Sequence, residues 1–208
     1  MPQWEEIRHQ VSIAGQVLDA LTGRAVACAE VEITSGPKEF AQWLAERKKQ
    51  HGDMWDNVKN RPDRMRTRHD GHFHFMDLPD GQYTLQAWMP GWGSRYAKDS
   101  CTVTVAHGPS GEIIMAQADM TLAPTCIRGQ ISAENTTEPI ALAEVRIKDS
   151  GQRTFSSENG HYCLACIETG KRTVIASAQG FEQTSLTVLL NQPGQQGELD
   201  MVMKPATP

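Results

Sequence analysis

Three histidines close together make the stretch RHDGHFHF, residues 68–75, the first candidate for chemistry in this chain. His72 and His74 are two positions apart, so a β-strand would direct both side chains to one face, where two imidazoles could bind a metal ion. His69 and Asp70 are the nearest candidates for further ligands. The alternative is that two polar side chains occupy the solvent face of a strand. Because spacing alone is a weak indication, we predict no metal and no cofactor, and keep His69, His72 and His74 as weak metal candidates.

A second candidate is the Cys-X-X-Cys sequence CLAC, residues 163–166. Such a pair is typically redox-active at the start of a helix, or it binds zinc together with a second pair of ligands. Here the motif lies along a predicted strand and no second pair stands at suitable spacing, so we expect neither role. The chain has five cysteines, an odd number, so not all of them can pair within the chain. Together with the missing secretory signal, this favours reduced thiols in a cytosol. Because Cys126 could approach Cys163, the sequence leaves open whether Cys126, Cys163 and Cys166 are reduced, bridged or metal-bound.

No catalytic motif stands out elsewhere in the sequence. There is no G-x-S-x-G, no H-E-x-x-H and no glycine-rich phosphate loop, and we predict that the protein is not an enzyme. A net charge of -5 and a pI near 5.8 argue against nucleic-acid binding. The sequence contains no apolar run of about 18 residues, which is the length that would indicate a membrane span. The N-terminal sequence MPQWEEIRHQ lacks the features of a secretory signal, so we expect a cytoplasmic protein, or part of a released or cell-associated particle.

The elements that must position these residues occur twice in the chain. SIAGQVLDALTGRAVACAEVEI, residues 12–33, aligns without a gap with CIRGQISAENTTEPIALAEVRI, residues 126–147. Residues 69–92 match residues 158–181, and DMTLAP at 119–124 matches DMVMKP at 200–205. A repeat of this size indicates two copies of one domain. We therefore predict a first domain at residues 1–124 and a second at residues 125–208.

Within each copy the apolar residues alternate with polar ones. Phe73 and Phe75 alternate with His72 and His74, which predicts a strand with the phenylalanines buried. The Asp-Gly and Asn-Gly dipeptides that precede these strands indicate tight hairpin turns. Several short strands at this spacing are typical of an antiparallel sandwich.

The segments GQVLDALTGRAVACAEVEI and DGHFHFMDLPDGQYTLQAWMPGW resemble the carboxypeptidase regulatory-like domain, and the resemblance covers nearly the whole chain twice. It implies an all-β protein of two tandem seven-stranded β-sandwiches, transthyretin-like or Ig-like, the first with a helical insertion. It also implies a non-catalytic accessory domain, of a kind found on peptidases, on surface proteins and in large assemblies. The second copy departs from the pattern, because CIETGKR lacks the Leu-Pro and the Tyr of DLPDGQY, and the first has Ala25 where the second has Pro139.

The first copy carries an insertion, at about residues 34–67, that the second lacks. Pro37 suits the first turn of a helix and Gly52 its end, and apolar residues follow Pro37 at helical spacing. A second short turn should hold Trp55 and Val58. Residues 37–68 contain nine Lys or Arg against five Asp or Glu, so we expect a basic, aromatic helix on an acidic body.

Two interpretations of the insertion are open. One is that the helix packs back onto its own sandwich, with Trp88 covered by Trp43 or Trp55, since an amphipathic helix is unstable alone. The other is that part of its surface docks a protein, because aromatic residues and arginines dominate interface energies. Both can hold on different faces of the helix. All five tryptophans lie in the first 92 residues, so the predicted partner-binding residues are Phe40, Trp43, Arg47, Trp55, Trp88 and Trp92.

The function expected from these observations is a non-catalytic structural or protein-interaction protein in a larger assembly. A phage-tail-like contractile injection system is the specific hypothesis, and it rests on family analogy. One alternative is a module that binds carbohydrate or metal through Trp88, Trp92, His72 and His74. The weaker alternative is a transthyretin-like hydrolase. The partner's identity, the stoichiometry and the oligomeric state are left open by the sequence.

Overall fold

A computed structural model of the protein describes residues 9–58 and 61–206. These residues form two compact units built mainly of β-strands. Unit 1 consists of the described residues up to Pro90 together with Lys98–Leu122, and unit 2 consists of Gly91–Ala97 and the described residues from Ala123 onward. No helix in the described ranges is long and apolar enough to cross a membrane.

Unit 1 contains two sheets. One has the order β4-β1-β8, with β9 also pairing with β1, and the other has the order β3-β2-β5-β6-β7. The strands are β1 (Val11–Asp19), β2 (Glu30–Ser35), β3 (Arg64–Arg66), β4 (His72–Met76), β5 (Gly81–Trp88), β6 (Asp99–His107), β7 (Ile113–Ile114), β8 (Ala116–Gln117) and β9 (Met120–Leu122).

Unit 2 repeats this plan. Its sheets have the orders β13-β10-β16, with β17 also pairing with β10, and β12-β11-β14-β15. The strands are β10 (Cys126–Ala133), β11 (Glu144–Ile147), β12 (Arg153–Phe155), β13 (His161–Ala165), β14 (Gly170–Ser177), β15 (Thr184–Leu190), β16 (Gln196–Glu198) and β17 (Met201–Met203). If β16 and β17 are counted as one interrupted strand, the described part of unit 2 has the seven strands expected. The predicted all-β fold with two tandem sandwiches is confirmed.

The period-two pattern of the sequence defines the core of each unit. Phe73 and Phe75 are buried, as the alternation predicts, and their rings pack edge to face with centroids 6.1 Å apart. Tyr83 and Leu85 face them from the other sheet and are also buried. In unit 2 the equivalent core is formed by Ile127, Ile131, Val145, Tyr162, Leu164, Val174 and their neighbours.

The last strand of each unit is interrupted, and a glycine on the first strand makes room for the interruption. β8 and β9 are separated by Ala118 and Asp119, and β16 and β17 by Leu199 and Asp200. A Cβ atom on Gly15 would lie 2.2 Å from the carbonyl oxygen of Ala118, and one on Gly129 would lie 2.0 Å from that of Leu199. The two glycines that align in the sequence repeat therefore have the same steric role.

The Asp-Gly and Asn-Gly turns do not form hairpins, and that part of the sequence prediction is wrong. The N–H of Gly71 donates to the carbonyl of Arg68 at 3.0 Å, so the turn itself is tight. It connects β3, which pairs with β2, to β4, which pairs with β1 in the other sheet. Gly160 makes the equivalent bond to Ser157 at 2.9 Å, between β12 and β13. Both turns therefore carry the chain from one sheet to the other.

The segment Gly91–Ala97 lies between two strands of unit 1 in the sequence but belongs to unit 2. Its backbone is fixed there by a hydrogen bond from the N–H of Thr125 to the carbonyl of Arg95 and by one from the N–H of Ala97 to the carbonyl of Ala123, at 2.8 and 2.9 Å. No local signal in the sequence indicated this arrangement.

Candidate partner-binding groove

The insertion of unit 1 begins with the helix α1 (Lys38–His51), which is followed by a 3₁₀ helix (Gly52–Asn57). As predicted, α1 follows Pro37 and ends at Gly52, whose N–H donates to the carbonyl of Lys48. Phe40 attaches the helix to the sandwich. It is 3% exposed, and its ring meets that of Tyr83 edge to face at 5.4 Å. One face of α1 therefore packs back onto its own domain.

Trp55 and Arg61 attach the 3₁₀ helix to the sandwich. Trp55 is buried, with the guanidinium of Arg61 4.8 Å from its ring centroid. Arg61 donates from Nε and Nη2 to the two carboxylate oxygens of Asp63, at 3.0 and 2.6 Å, and from Nη2 to Glu32 at 2.7 Å. The hydrogen bond to Asp63 raises the pKa of Arg61 although burial opposes the charge. These bonds connect β2 to residues 61–68, the segment that leads from the insertion back to the sandwich and is called the returning chain below.

The next two arginines of the insertion pair with the same strand. Arg66 donates from Nε and Nη2 to Glu30 at 3.1 and 3.0 Å, and Arg64 lies 3.5 Å from the other oxygen of Glu30. Arg64 and Lys98 approach the ring of Trp88, at 5.7 and 5.6 Å from its centroid. Cations therefore cover Trp88, and the expectation that Trp43 or Trp55 would cover it is wrong. The reason is that β3 places its arginines on the outer face of the sheet that carries Trp88.

A groove of about 1180 Å³ lies between the insertion and the end of β4, entirely within unit 1. One wall is formed by α1, the 3₁₀ helix and the returning chain, and the other by residues 74–79. Trp43 is 41% exposed and Met76 48% exposed, and both line the groove. The lining residues are His9, Glu30, Glu39, Phe40, Trp43, Asp56, Asn57, Val58, Arg61, Pro62, Arg64, Met65, Arg66, His74, Phe75, Met76, Asp77, Leu78 and Pro79.

The charge inside the groove is negative, unlike that of the insertion as a whole. Four carboxylates and three guanidiniums line it, and all three guanidiniums are engaged in ion pairs. Two further carboxylates, those of Glu32 and Asp63, accept hydrogen bonds from Arg61. The excess positive charge predicted from the sequence lies instead on exposed residues of α1 such as Lys48 and Lys49. The expected basic surface and the groove are therefore different parts of the insertion.

Asp77 is one of the exposed carboxylates of the groove wall. Its Oδ2 lies 2.5 Å from Nδ1 of His9, and its Oδ1 accepts a hydrogen bond from the N–H of Gln10 at 2.9 Å. Partial burial raises the pKa of Asp77, but the bonds from Gln10 and His9 outweigh it and hold the pKa below its usual value. Asp77 is therefore ionised at neutral pH.

Among the described residues β4 pairs with β1 only, and its outer edge is covered by other residues at one end and open at the other. The carbonyl of His72 accepts from the N–H of Arg68 at 3.0 Å, and the N–H of His74 donates to Sδ of Met65 at 3.1 Å. Because backbone groups of alternate residues point to the same side of a strand, the carbonyl of His74 and the N–H of Met76 point away from β1. Both residues line the groove, so the open part of the edge faces it.

The structure does not bring the six predicted partner-binding residues together. Phe40 and Trp43 line the groove, and the guanidinium of Arg47 covers the Trp43 ring at 5.2 Å. Trp55 is buried under Arg61, and Trp88 lies under Arg64 and Lys98 on β5. Trp92 belongs to unit 2, where its ring contacts Tyr96 at 5.9 Å. The fifth tryptophan, Trp4, lies outside the described residues.

The three histidines of the first motif are separated by their surroundings. His72 is exposed, 3.4 Å from Asp70, whereas His74 is half-buried and lines the groove, and His69 is exposed in the turn. The N–H of His72 lowers the pKa of Asp70. In the part of the chain that the structure describes, no three His, Cys, Asp or Glu side chains are placed to hold a metal ion.

All five cysteines lie in the described ranges, and none forms a disulfide there. Cys126 and Cys163 are diagonal neighbours on β10 and β13. Burial raises the pKa of the Cys126 thiol, and Cys163 raises it further while Arg128 lowers it. Cys166 follows the last residue of β13, and its sulfur lies 3.1 Å from the hydroxyl of Tyr96. The two cysteines of CLAC are thus placed on and just after a strand, as predicted.

The model of the carboxypeptidase regulatory-like domain family matches residues 12–116 and again residues 126–204. The chain belongs to the carboxypeptidase regulatory-like domain family. The two matches coincide with the two copies seen in the sequence repeat, and no curated protein sequence matches the chain.

Solved structures similar to these two carboxypeptidase regulatory-like domains are only distantly related in sequence. The TIE protein of Bacillus anthracis is 15% identical, with a TM-score of 0.40, and 94% of this chain aligns with 34% of that chain. The shaft pilin SpaA of Lactobacillus rhamnosus GG is 10% identical, with a TM-score of 0.43, over 96% of this chain and 99% of the pilin. The minor pilin GBS52 of Streptococcus agalactiae is 11% identical, with a TM-score of 0.34, over 94% and 96% of the two chains. This chain thus spans about a third of the TIE protein.

Sequence reasoning missed the residues that build the groove in the first regulatory-like domain. Glu30 and Glu32 face outward from β2, and the arginines of β3 pair with them across the strands. The signal was present, because two carboxylates at alternate positions match two arginines at alternate positions. It could be recognised only if the pairing of β2 with β3 across the insertion was already known.

Proposed function

We propose that the chain is a non-catalytic structural and protein-interaction protein, a subunit or accessory of a larger assembly, and that the groove of unit 1 binds its protein partner. The observation that carries the proposal is that the insertion adds a large, partly apolar groove to one regulatory-like domain, whereas the equivalent strands of the other are joined by five residues, 148–152. A cavity of about 1180 Å³ exceeds the 300–1,000 Å³ usual for small-molecule sites. Its size favours a segment of protein as the occupant.

A phage-tail-like contractile injection system is the assembly we propose, with the chain in the cytoplasm until the particle is released. The support for it is the family analogy, since regulatory-like domains occur in large assemblies. Identification of the proteins that co-purify with the chain from its native cells tests this part. Recovery of tail-tube or sheath-like subunits is expected, and recovery of unrelated partners would contradict it.

The four residues of the alternative carbohydrate or metal site do not lie on one surface. The residues proposed for carbohydrate or metal were Trp88 and Trp92 with His72 and His74. Trp88 lies on β5 and the histidines on β4, which belong to opposite sheets of unit 1, and Trp92 belongs to unit 2. No described surface of unit 1 therefore gathers them.

The proposal is tested with two matched tryptophan variants. Trp43 and Trp92 are 41% and 42% exposed, and only Trp43 lines the groove. Trp43→Ala should reduce capture of the native partner about tenfold or more, because exposed aromatic residues in interface pockets contribute about 2 kcal/mol or more. Trp92→Ala should leave capture unchanged. Equal capture by both variants and the unmodified chain would contradict the proposal.

A further inference from the structure

We infer that the groove of unit 1 binds an extended, basic segment of its partner, which adds as a strand to the open edge of β4. This inference rests on the proposed function and names the chemistry of the partner. The three observations that carry it are the open edge, the apolar side chains at its level and the sign of the charge.

The first observation is the backbone of β4. Its pairing with β1 runs from Gln16–His72 to Val11–Met76 and occupies one edge only. Along the other edge, the returning chain of the insertion bonds to the carbonyl of His72 and to the N–H of His74. The carbonyl of His74 and the N–H of Met76 point toward the groove. Exposed strand edges of this kind bind extended peptides through main-chain hydrogen bonds.

The second observation is the arrangement of apolar side chains along the groove. Trp43 and Phe40 stand on the helical wall, and Met76 and Leu78 stand on the wall that continues from β4. Side chains of an added strand would point alternately toward and away from these walls. β4 ends at Met76 and Asp77 has a φ of 56°, so main-chain pairing is confined to residues 74–76, roughly 10 Å of strand. Alternate residues of the added strand should be apolar.

The third observation is the charge. The guanidiniums of Arg61, Arg64 and Arg66 are already paired with carboxylates of the same domain. Asp56 is one of these partners, with its Oδ1 3.3 Å from Nη1 of Arg61, and Asp77 pairs with His9, whereas Glu39 is exposed at the groove. With Glu32 and Asp63 included, six carboxylates accompany the three guanidiniums, so negative charge remains in excess. Lysine or arginine on the partner would meet these carboxylates, whereas an acidic segment would be repelled. The groove therefore selects a basic segment.

The test uses the full chain and a displayed library of random twelve-residue peptides. Selected peptides should combine alternating apolar residues with lysine or arginine, and they should bind the Trp43→Ala variant at least tenfold more weakly while binding Trp92→Ala normally. Selection of acidic peptides, or of no peptide whose binding depends on Trp43, would overturn the inference.

The strand-addition part is tested on one selected peptide without altering the protein. A version methylated on alternate backbone nitrogens keeps every side chain but loses the donors that pair with β4. It should bind at least tenfold more weakly, and the amide of Met76 should exchange with solvent more slowly when the unmethylated peptide is bound. Equal affinity of both peptides would rule out strand addition.

The charge part is tested with Glu39→Gln and Asp77→Asn, whose side chains keep their size. Each should weaken a lysine-containing peptide about threefold at low salt and less at high salt. Unchanged affinity in both variants would overturn the choice of a basic partner.

Other occupants give different results. Concentration-dependent dimerisation that Trp43→Ala abolishes would assign the groove to a second copy of the chain, and tighter peptide binding after removal of residues 2–8 would assign it to that segment. Either result overturns the inference. Loss of the native partner in Trp43→Ala together with failure of these peptide tests would leave the proposed function standing, whereas retention of the partner would reject the proposed function itself.

Discussion

Removing one partner of the ion pair between Arg61 and Asp63 should destabilise unit 1 more than removing one partner of any exposed ion pair of the protein. We expect that replacing Arg61 by methionine will lower the free energy of unfolding of unit 1 by about 3–5 kcal/mol. The insertion should loosen at the same time, because Arg61 connects its returning chain to Glu32 on β2.

The magnitude follows from what the substitution leaves behind. Asp63 is 3% exposed, and both of its carboxylate oxygens accept hydrogen bonds from Arg61. Methionine still covers the ring of Trp55 with an apolar chain, so little packing is lost. The carboxylate of Asp63 stays buried without its cation, and removal of one partner of a buried pair costs about 3–5 kcal/mol.

The assay is urea unfolding followed by tryptophan fluorescence. Of the four tryptophans in the described ranges, Trp43, Trp55 and Trp88 belong to unit 1, so the signal reports mainly on that unit. Because two domains can unfold separately, the data should be fitted with two transitions. The matched control is Arg153→Met, whose guanidinium side chain is 69% exposed and pairs with Glu144 in unit 2. It should change stability by less than about 1 kcal/mol.

A double variant separates the buried charge from other effects. Arg61→Met combined with Asp63→Leu removes both partners, so it should recover a large part of the loss caused by Arg61→Met alone. A cost below about 1 kcal/mol for Arg61→Met would refute the reasoning, and so would a double variant that is less stable than the single one.

Further predictions concern backbone packing, pH and thiols. Gly15→Ala and Gly129→Ala should each destabilise their own unit by about 1–3 kcal/mol or more, since the new Cβ would meet a backbone carbonyl at 2.2 or 2.0 Å; an unfolding midpoint unchanged in either would contradict this. Asp77 has a lowered pKa in the folded state, so its contribution is complete above the unfolded pKa near 4 and is lost as the pH falls through the folded pKa. Asp77→Asn should therefore reduce the acid-induced loss of stability, and unfolding measured from pH 7 to 2 checks this; an identical pH profile would be the negative result. The exposed thiol of Cys28 should react first with a thiol reagent, and the buried Cys126 only on unfolding, whereas early modification of Cys126 would contradict its burial.

The sandwich could be predicted from the sequence because it depends on local patterns that occur twice. Alternation identified the strands around Phe73 and Phe75, and the gap-free match of residues 12–33 with residues 126–147 identified the duplication. The turns could be placed but not interpreted. A dipeptide such as Asp70–Gly71 specifies how sharply the chain reverses, and it carries no information about which strand each neighbour will pair with.

The groove could be predicted only in part, because it depends on contacts between distant residues. Helical spacing indicated α1, and two of the predicted partner-binding residues, Phe40 and Trp43, line the groove; their role in binding a partner stays a prediction. The charge summed over residues 37–68 indicated the basic helix, but it could not predict the negative charge of the groove. In the structure the arginines of the returning chain are paired with Glu30 and Glu32, and those pairs depend on strand register, which a sum of charges does not contain.

The second unit shows how a groove can be added without disturbing the sandwich. In unit 1 the hydroxyl of Thr67 donates to the carbonyl of Val26 and accepts from the N–H of Ala29. In unit 2 the hydroxyl of Ser156 makes the same two bonds, to Ile140 and from Ala143.

The chain therefore re-enters the sandwich at the same point in both units, after five residues (148–152) in one and after 28 (36–63) in the other. The insertion lies in the connection to β3, a strand at the edge of its sheet, where extra residues cost little because loop-closure entropy grows slowly with length. The core and the strand pairing are then free to stay constant while the connection varies. This separation explains why the family pattern identifies the fold of both units, and why the groove of unit 1 is formed with the non-repeated connection.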